Sequence, residues 1–158
     1  MARPTDALIR HLRHTANKIE SEEWDYHWPN SSSCNCGLLA RSVVGEPVEV
    51  GGTWGRAADP ELRGMCLTTG VSLEDVLRKL RDLGLTASDI KKLETFGHEA
   101  VVQEAGFSGN DNYDDKQKVV TYMRTWADLL ERAQPLVQES NNKKDQAHEQ
   151  TQTLQKVR

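Results

Sequence analysis

Between Val119 and Ala133 the apolar residues Val119, Tyr122, Met123, Trp126, Leu129, Leu130 and Ala133 recur every three or four positions. That period is one broad stripe of an α-helix and conflicts with the two-residue alternation of a half-buried strand. The acids that close the preceding loop, Asp114 and Asp115, favour the positive end of a helix, so a long helix is predicted from about Asp115 to Gln134. Such a stripe needs other helices to cover it, and core packing accounts for it without a cofactor.

Those partners can be read upstream. Thr5 is placed to cap a first helix whose Leu8, Ile9, Leu12, Ala16 and Ile19 share one face, with His11 at its flank and His14 opposite, both read as solvated. Ser72-x-x-Asp75 and Thr86-x-x-Asp89 read as aspartate variants of the capping box. They open helices from Leu73 to Leu83 and from Ala87 to Phe96, with Gly84 and Gly97 as their closing glycines. A further short helix is predicted from His98 to Ala105. Between the first helix and Ser72 the pattern is less regular. Trp24 to Trp28 alternates aromatic and polar residues as a short extended segment would, then Pro29 to Ser33 breaks it. Ser33 or Asn35 is placed to cap a brief helix ending near Val44. Gly45 to Gly55 suits an irregular connection or small hairpin, and Asp59-Pro60 suits the start of a helix reaching Cys66.

The expected architecture is therefore all-α: a small multi-helix domain with a short extended or hairpin segment between the second and third helices. At 158 residues, 37% hydrophobic and 28% charged, the chain suits one core. That helical domain is expected over 1–138. From Glu139 to Arg158 only Ala147, Leu154 and Val157 are apolar, and Pro135 marks a kink or an end just before. This tail cannot bury enough surface to offset its ordering and is expected as a solvated helical extension or a disordered segment.

Charge excludes some partners. The formal net charge is -4, with 7 basic against 9 acidic residues up to Gly70 and 9 against 13 from Val71 to Glu139. No segment has the positive field of a non-specific nucleic-acid binder. No apolar run approaches the roughly 20 residues of a membrane span, and the first residues lack a signal-peptide core, so a cytoplasmic location and no membrane partner are expected. In a reducing compartment three cysteines serve as thiols, ligands or core filler rather than as a disulfide framework.

The residues with possible chemistry are these cysteines. Cys34 and Cys36 are two positions apart, about 200° around a helix, so they converge only where the chain is extended or just entering a helix. At a helix start the dipole also favours thiolate, the form that binds metal or attacks a disulfide. With Cys66 and His27 they would make a four-coordinate zinc site, iron being the alternative metal and Asn30 or water the alternative fourth ligand. The spacing matches no common zinc-finger pattern, so structural thiols and a thiol redox sensor stay open beside the metal.

Three stretches carry a resemblance: Cys34-Asn-Cys36-Gly37-Leu-Leu39-Ala40 following Trp28, then Cys66-Leu-Thr68-Thr-Gly70, then Thr125-Trp126-Ala127-Asp128-Leu129-Leu130. Over roughly Trp28 to Glu131 the chain resembles an uncharacterised family of small bacterial proteins. In that family C-N-C-G precedes a leucine-alanine pair, a C-P-T-S-G-like element lies downstream, and a T-W-A-D/E-L-L helix closes the domain. The resemblance implies that the three cysteines act as a set, without naming a reaction. The family's histidine two residues after the tryptophan is Asn30 here, so His27 would replace it only if the loop folds back.

No phosphate loop, zincin helix or deaminase pattern occurs, and Asp111, Asp114 and Asp115 share only acidity with a calcium loop. The leading expectation is a helical protein with a thiolate metal site and no named reaction. The alternative without chemistry is an interaction module whose helical hairpin from Ser72 to Phe96 contacts a protein. DNA fits less well, because Lys91 and Lys92 are offset by Asp89 and Glu94.

Overall fold

The computed structural model describes residues 1–59, 61, 72–108 and 112–156, with side chains as far as 149. Among them seven helices and no strand are found: α1 (Asp6–Glu20), α2 (Asn35–Val44), α3 (Trp54–Ala58), α4 (Leu73–Asp82), α5 (Ala87–Glu94), α6 (Glu99–Ala105) and α7 (Lys116–Lys156). The all-α expectation holds. No helix of the described residues is long and apolar enough to cross a membrane.

α1 and α7 form the main axis. Thr5 caps α1 by accepting the Leu8 N–H at 3.1 Å, and Leu8, Ile9, Leu12, Ala16 and Ile19 are buried, as their spacing requires. α7 runs antiparallel to α1. Gln134 meets Asp6, Arg13 meets Asp128 and Glu131, Arg124 meets Glu20, and Lys116 meets Glu22. These surface pairs set alignment more than stability, since water screens them. Beneath them Val119, Tyr122, Met123, Trp126 and Leu130 are buried, while Leu129 is half-buried.

Pro135 does not end α7, which continues to Lys156. A proline removes one ladder bond and crowds the carbonyl four residues back. At this exposed position that carbonyl can turn to water, so the helix survives. Past Gln138 the described residues stay helical as far as Lys156.

Other local expectations divide. Thr86 and Asp89 form both halves of a capping box, with the Thr86 N–H 2.8 Å from Asp89 Oδ2 and the Asp89 N–H 3.1 Å from Thr86 Oγ1. Ser72 makes no side-chain cap, and Asp75 instead pairs with Arg78 at 2.8 Å. The difference is burial: Asp89 is held inside the fold, while Asp75 is exposed and free to choose a partner along its own helix. At the end of α5 the left-handed residue is Phe96 (φ 51°), not Gly97. Its conformational cost of about 1 kcal/mol is offset by burial among the rings of Phe107, Tyr113 and Tyr122.

The segment from Trp24 to Trp28 is irregular rather than paired as a strand. Trp24 lies under the Arg41 guanidinium, 4.7 Å from the ring centroid, and takes the His14 ring edge-on. His11 is half-buried, and its Nδ1 lies 2.7 Å from Ser42 Oγ. His14 is exposed, as expected, whereas His11 is not the plainly solvated residue expected. α3 was not foreseen in the Gly45–Gly55 stretch: Thr53 caps it through the Arg56 N–H at 3.3 Å. The helix expected from Asp59 to Cys66 lies almost wholly outside the described residues, as does Cys66 itself.

Candidate functional site

Cys34 is itself the N-cap of α2, in place of Ser33 or Asn35. Its Sγ accepts the Gly37 N–H at 3.4 Å and lies 3.5 Å from the Ser31 carbonyl, to which the thiol donates. The thiol is buried, and desolvation pushes its pKa up to about 11 despite the opposing Gly37 N–H. At a helix start the dipole favours thiolate, but here burial is the larger effect.

The next residues reach across to α5. Asn35 donates its side-chain N–H to the Leu93 carbonyl, and the Cys36 thiol donates to the Ile90 carbonyl at 3.3 Å. Cys36 is buried, and desolvation, followed by the nearby Cys34 and Glu94 charges, holds its pKa well above the ordinary thiol value. Gly37 has no substitute. A Cβ there would stand 2.0 Å from the Ser31 carbonyl oxygen.

This explains why the turn needs its residue types. The last carbonyls of a helix have no partner within it. In α5 they are met from outside: Leu93 by Asn35, Glu94 by the Trp28 indole N–H at 3.1 Å, Lys92 by the Gly97 N–H at 2.7 Å, and Lys91 by the Thr95 hydroxyl at 3.1 Å. The Glu94 carboxylate then accepts the Trp54 and Gly55 N–H groups at 3.2 and 3.1 Å, holding the start of α3. Ser31 closes the junction. Its carbonyl accepts the Trp54 indole N–H at 2.7 Å, and its hydroxyl bridges the backbone of Val50 at 2.9 and 3.0 Å. One turn thus ties α2, α3 and α5 together.

No family model, curated protein or solved structure matches this chain. Function has to be read from the site's own chemistry.

Of the four expected ligands, Cys34 and Cys36 share this turn. His27 is exposed, and its Nδ1 lies 3.5 Å from Asp114 Oδ1, while the same carboxylate accepts the Trp28 N–H at 2.9 Å. Asn30 is engaged within the loop, its Oδ1 accepting both the N–H and the hydroxyl of Ser32. Cys66 lies outside the described residues. Among the described residues no group of three or more His, Cys, Asp or Glu side chains is arranged to hold a metal ion.

A buried ionisable pair went unseen in the sequence. Asp89 Oδ1 and His98 Nε2 stand 3.2 Å apart, both buried, and the His98 ring packs 4.6 Å from Trp126. The separation is that of an ion pair, yet Nε2 has no acceptor in hydrogen-bond geometry. Burial alone would raise the Asp89 pKa, but His98 and the Thr86 donors bring it below the ordinary value. Asp89 was legible only as a capping residue. Nothing in a nine-residue spacing says that two side chains meet across a helix turn.

Proposed function

We propose that this chain is a helical protein-interaction module whose cysteine turn holds the fold together, with its contact surface along α7 beyond the start of α1. The observation that carries the reading is the structural engagement of the turn: Cys34, Asn35 and Cys36 each bond a backbone group, and Gly37 fills a space closed to any side chain. Buried thiols with raised pKa stay protonated at neutral pH and are poor nucleophiles.

The surface supports the same reading. Among the described residues the exposed large apolar side chains are Met1, Tyr113, Leu136 and Val137, and two of the four, Met1 and Val137, line the cleft where the N-terminus meets the outer part of α7. The hairpin from Ser72 to Phe96 is a weaker contact surface. Its Leu73, Val76, Leu77, Leu80, Ile90 and Leu93 face inward, and its exposed residues are mostly charged. A cytoplasmic setting belongs to the proposal, as buried free thiols suit a reducing compartment.

A metal remains the second reading, favoured by the placement of Cys34 and Cys36 on one turn, near enough for the first to raise the pKa of the second. Zinc, or iron, would be held by Cys34, Cys36 and Cys66, with His27, Asn30 or water as the fourth ligand. Binding would displace both thiol protons and break the Cys36 bond to Ile90. Redox sensing has the least support, since it needs an exposed thiol of lowered pKa.

Elemental analysis and native thiol titration decide between them. The interaction reading expects metal below about a tenth of an equivalent, where a structural site would be filled, and Cys34 and Cys36 that react only on unfolding. One equivalent of zinc or iron, lost on Cys34→Ser, would overturn it.

A further inference from the structure

The two histidines of α1 differ in what surrounds them. His14 is exposed, while the His11 ring is half-buried where α1 packs on α2, with its Nδ1 2.7 Å from Ser42 Oγ. Ser42 lies in the last turn of α2, shortly before Gly45 closes that helix in a left-handed conformation (φ 91°). Val43 and Val44 beside it are half-buried against the core.

A hydroxyl both donates and accepts, so the bond to Ser42 suits either charge state of the ring. The surroundings do not. On α1 the charged groups facing His11 are Arg10 and His14. On α2, Arg41 stands next to Ser42, its guanidinium 4.7 Å from the centroid of the Trp24 ring, which His14 meets edge-on. No carboxylate among the described residues pairs with His11. Glu23, beside Trp24, is held by Lys18. On α7, Asp128 and Glu131 are held by Arg13, which lies about 200° round α1 from His11 and so on the opposite flank. Glu46, just past α2, is exposed, and α4, which also packs on α2, keeps its charged side chains exposed.

We propose that His11 is an acid-sensitive latch between α1 and α2. Neutral, the ring fills its half-buried place beside Ser42. Protonated, it adds a charge beside Arg10 and His14, with Arg41 across the junction and no carboxylate to answer it, and the last turn of α2 loosens from α1. Release of that turn bares Val43 and Val44 and parts the Arg41 guanidinium from Trp24, so mild acid opens an apolar surface that neutral pH keeps closed. This latch is independent of any partner at α7.

Burial first, and then the charges of Arg10 and His14, hold the His11 pKa below the ordinary 6.5. The unfolded chain therefore takes up its proton first. The contribution of the latch is complete above pH 6.5 and is lost as pH falls from there through the folded value. The carbonyl end of α2 draws a cation and works against this shift, but Arg41 in its last turn already supplies one.

Amide hydrogen exchange and NMR titration of the histidine rings test the latch. The reporter is the Gly45 N–H, which donates to the Arg41 carbonyl at 2.8 Å. Between about pH 7.5 and 5.5 its protection, corrected for intrinsic exchange, should fall at least about threefold in the parent and hold in His11→Gln, which keeps a neutral polar group beside Ser42. The Trp126 amide should stay protected in both, and the parent's His11 ring should titrate below 6.5. A ring that titrates at or above 6.5, Gly45 protection indifferent to pH, a loss shared equally by Trp126, or the same loss in His11→Gln would overturn the proposal. The ring titration and the Gly45 response are read on the parent, so they decide even where His11→Gln fails to fold.

Discussion

The turn at Cys34–Gly37 and the outer part of α7 satisfy their backbone groups in opposite ways. In the turn, side chains from one segment complete the end of another helix: Asn35 and Cys36 bond α5 carbonyls, and Cys34 caps α2. Along α7 past Gln134 the helix, apart from the bond Pro135 removes, supplies its own ladder, and its described side chains, 135–149, meet water. The contrast teaches where this protein is rigid by necessity. An unmet polar group inside costs about 1–3 kcal/mol, so the turn tolerates little change, whereas the extension has no such obligations.

The largest expected effect lies on α7 itself, where it is covered. Trp126 is fully buried against His98 and Tyr122, so Trp126→Ala should lower stability by ~3–5 kcal/mol in denaturant unfolding. An unchanged midpoint would mean that the covered half of α7 is no more committed than the bare half.

A smaller effect reports on the turn. The Cys34 pKa is raised from 9.0 to about 11 in the folded chain. A raised folded value means that the thiol's contribution is complete below pH 9 and is lost as pH climbs towards 11, because the unfolded chain ionises first. A shift of this kind is worth on the order of 2 kcal/mol, visible as an alkaline loss of stability that Cys34→Ala should shallow. Identical alkaline limbs in both proteins would show that the thiol is not sealed in the folded turn.

The smallest effect should come from removing the chain after Gln138. Thermal unfolding should hardly change, since the described side chains of the segment lost, 139–149, are all exposed. A large drop in the melting midpoint would erase the contrast between the two regions.

Much of the helical layout was legible because its causes are local. Thr5 before Leu8, and Thr86 three residues before Asp89, act within one turn, and the α1 and α7 stripes repeat within every four residues. Failures came where a local signal had a competitor: Ser72 lost its capping partner to Arg78, and Phe96 took the left-handed position beside a glycine because its ring is wanted in the core. The candidate site was legible only as an unusual cluster of residue types. Cys34 and Cys36 stood out, but their use did not.

By itself, then, the sequence determined the helical class, the faces of α1 and α7, and the segment from Trp28 to Gly37 as the exceptional stretch. Tertiary structure alone decided what that stretch is for. The carbonyls it satisfies, at Ile90, Leu93 and Glu94, lie more than fifty residues away along the chain. Asp89 and His98 likewise meet only because α5 and α6 fold back on Trp126. Backbone carbonyls are identical in every residue, so no pattern of side chains announces which of them a distant asparagine or thiol will meet.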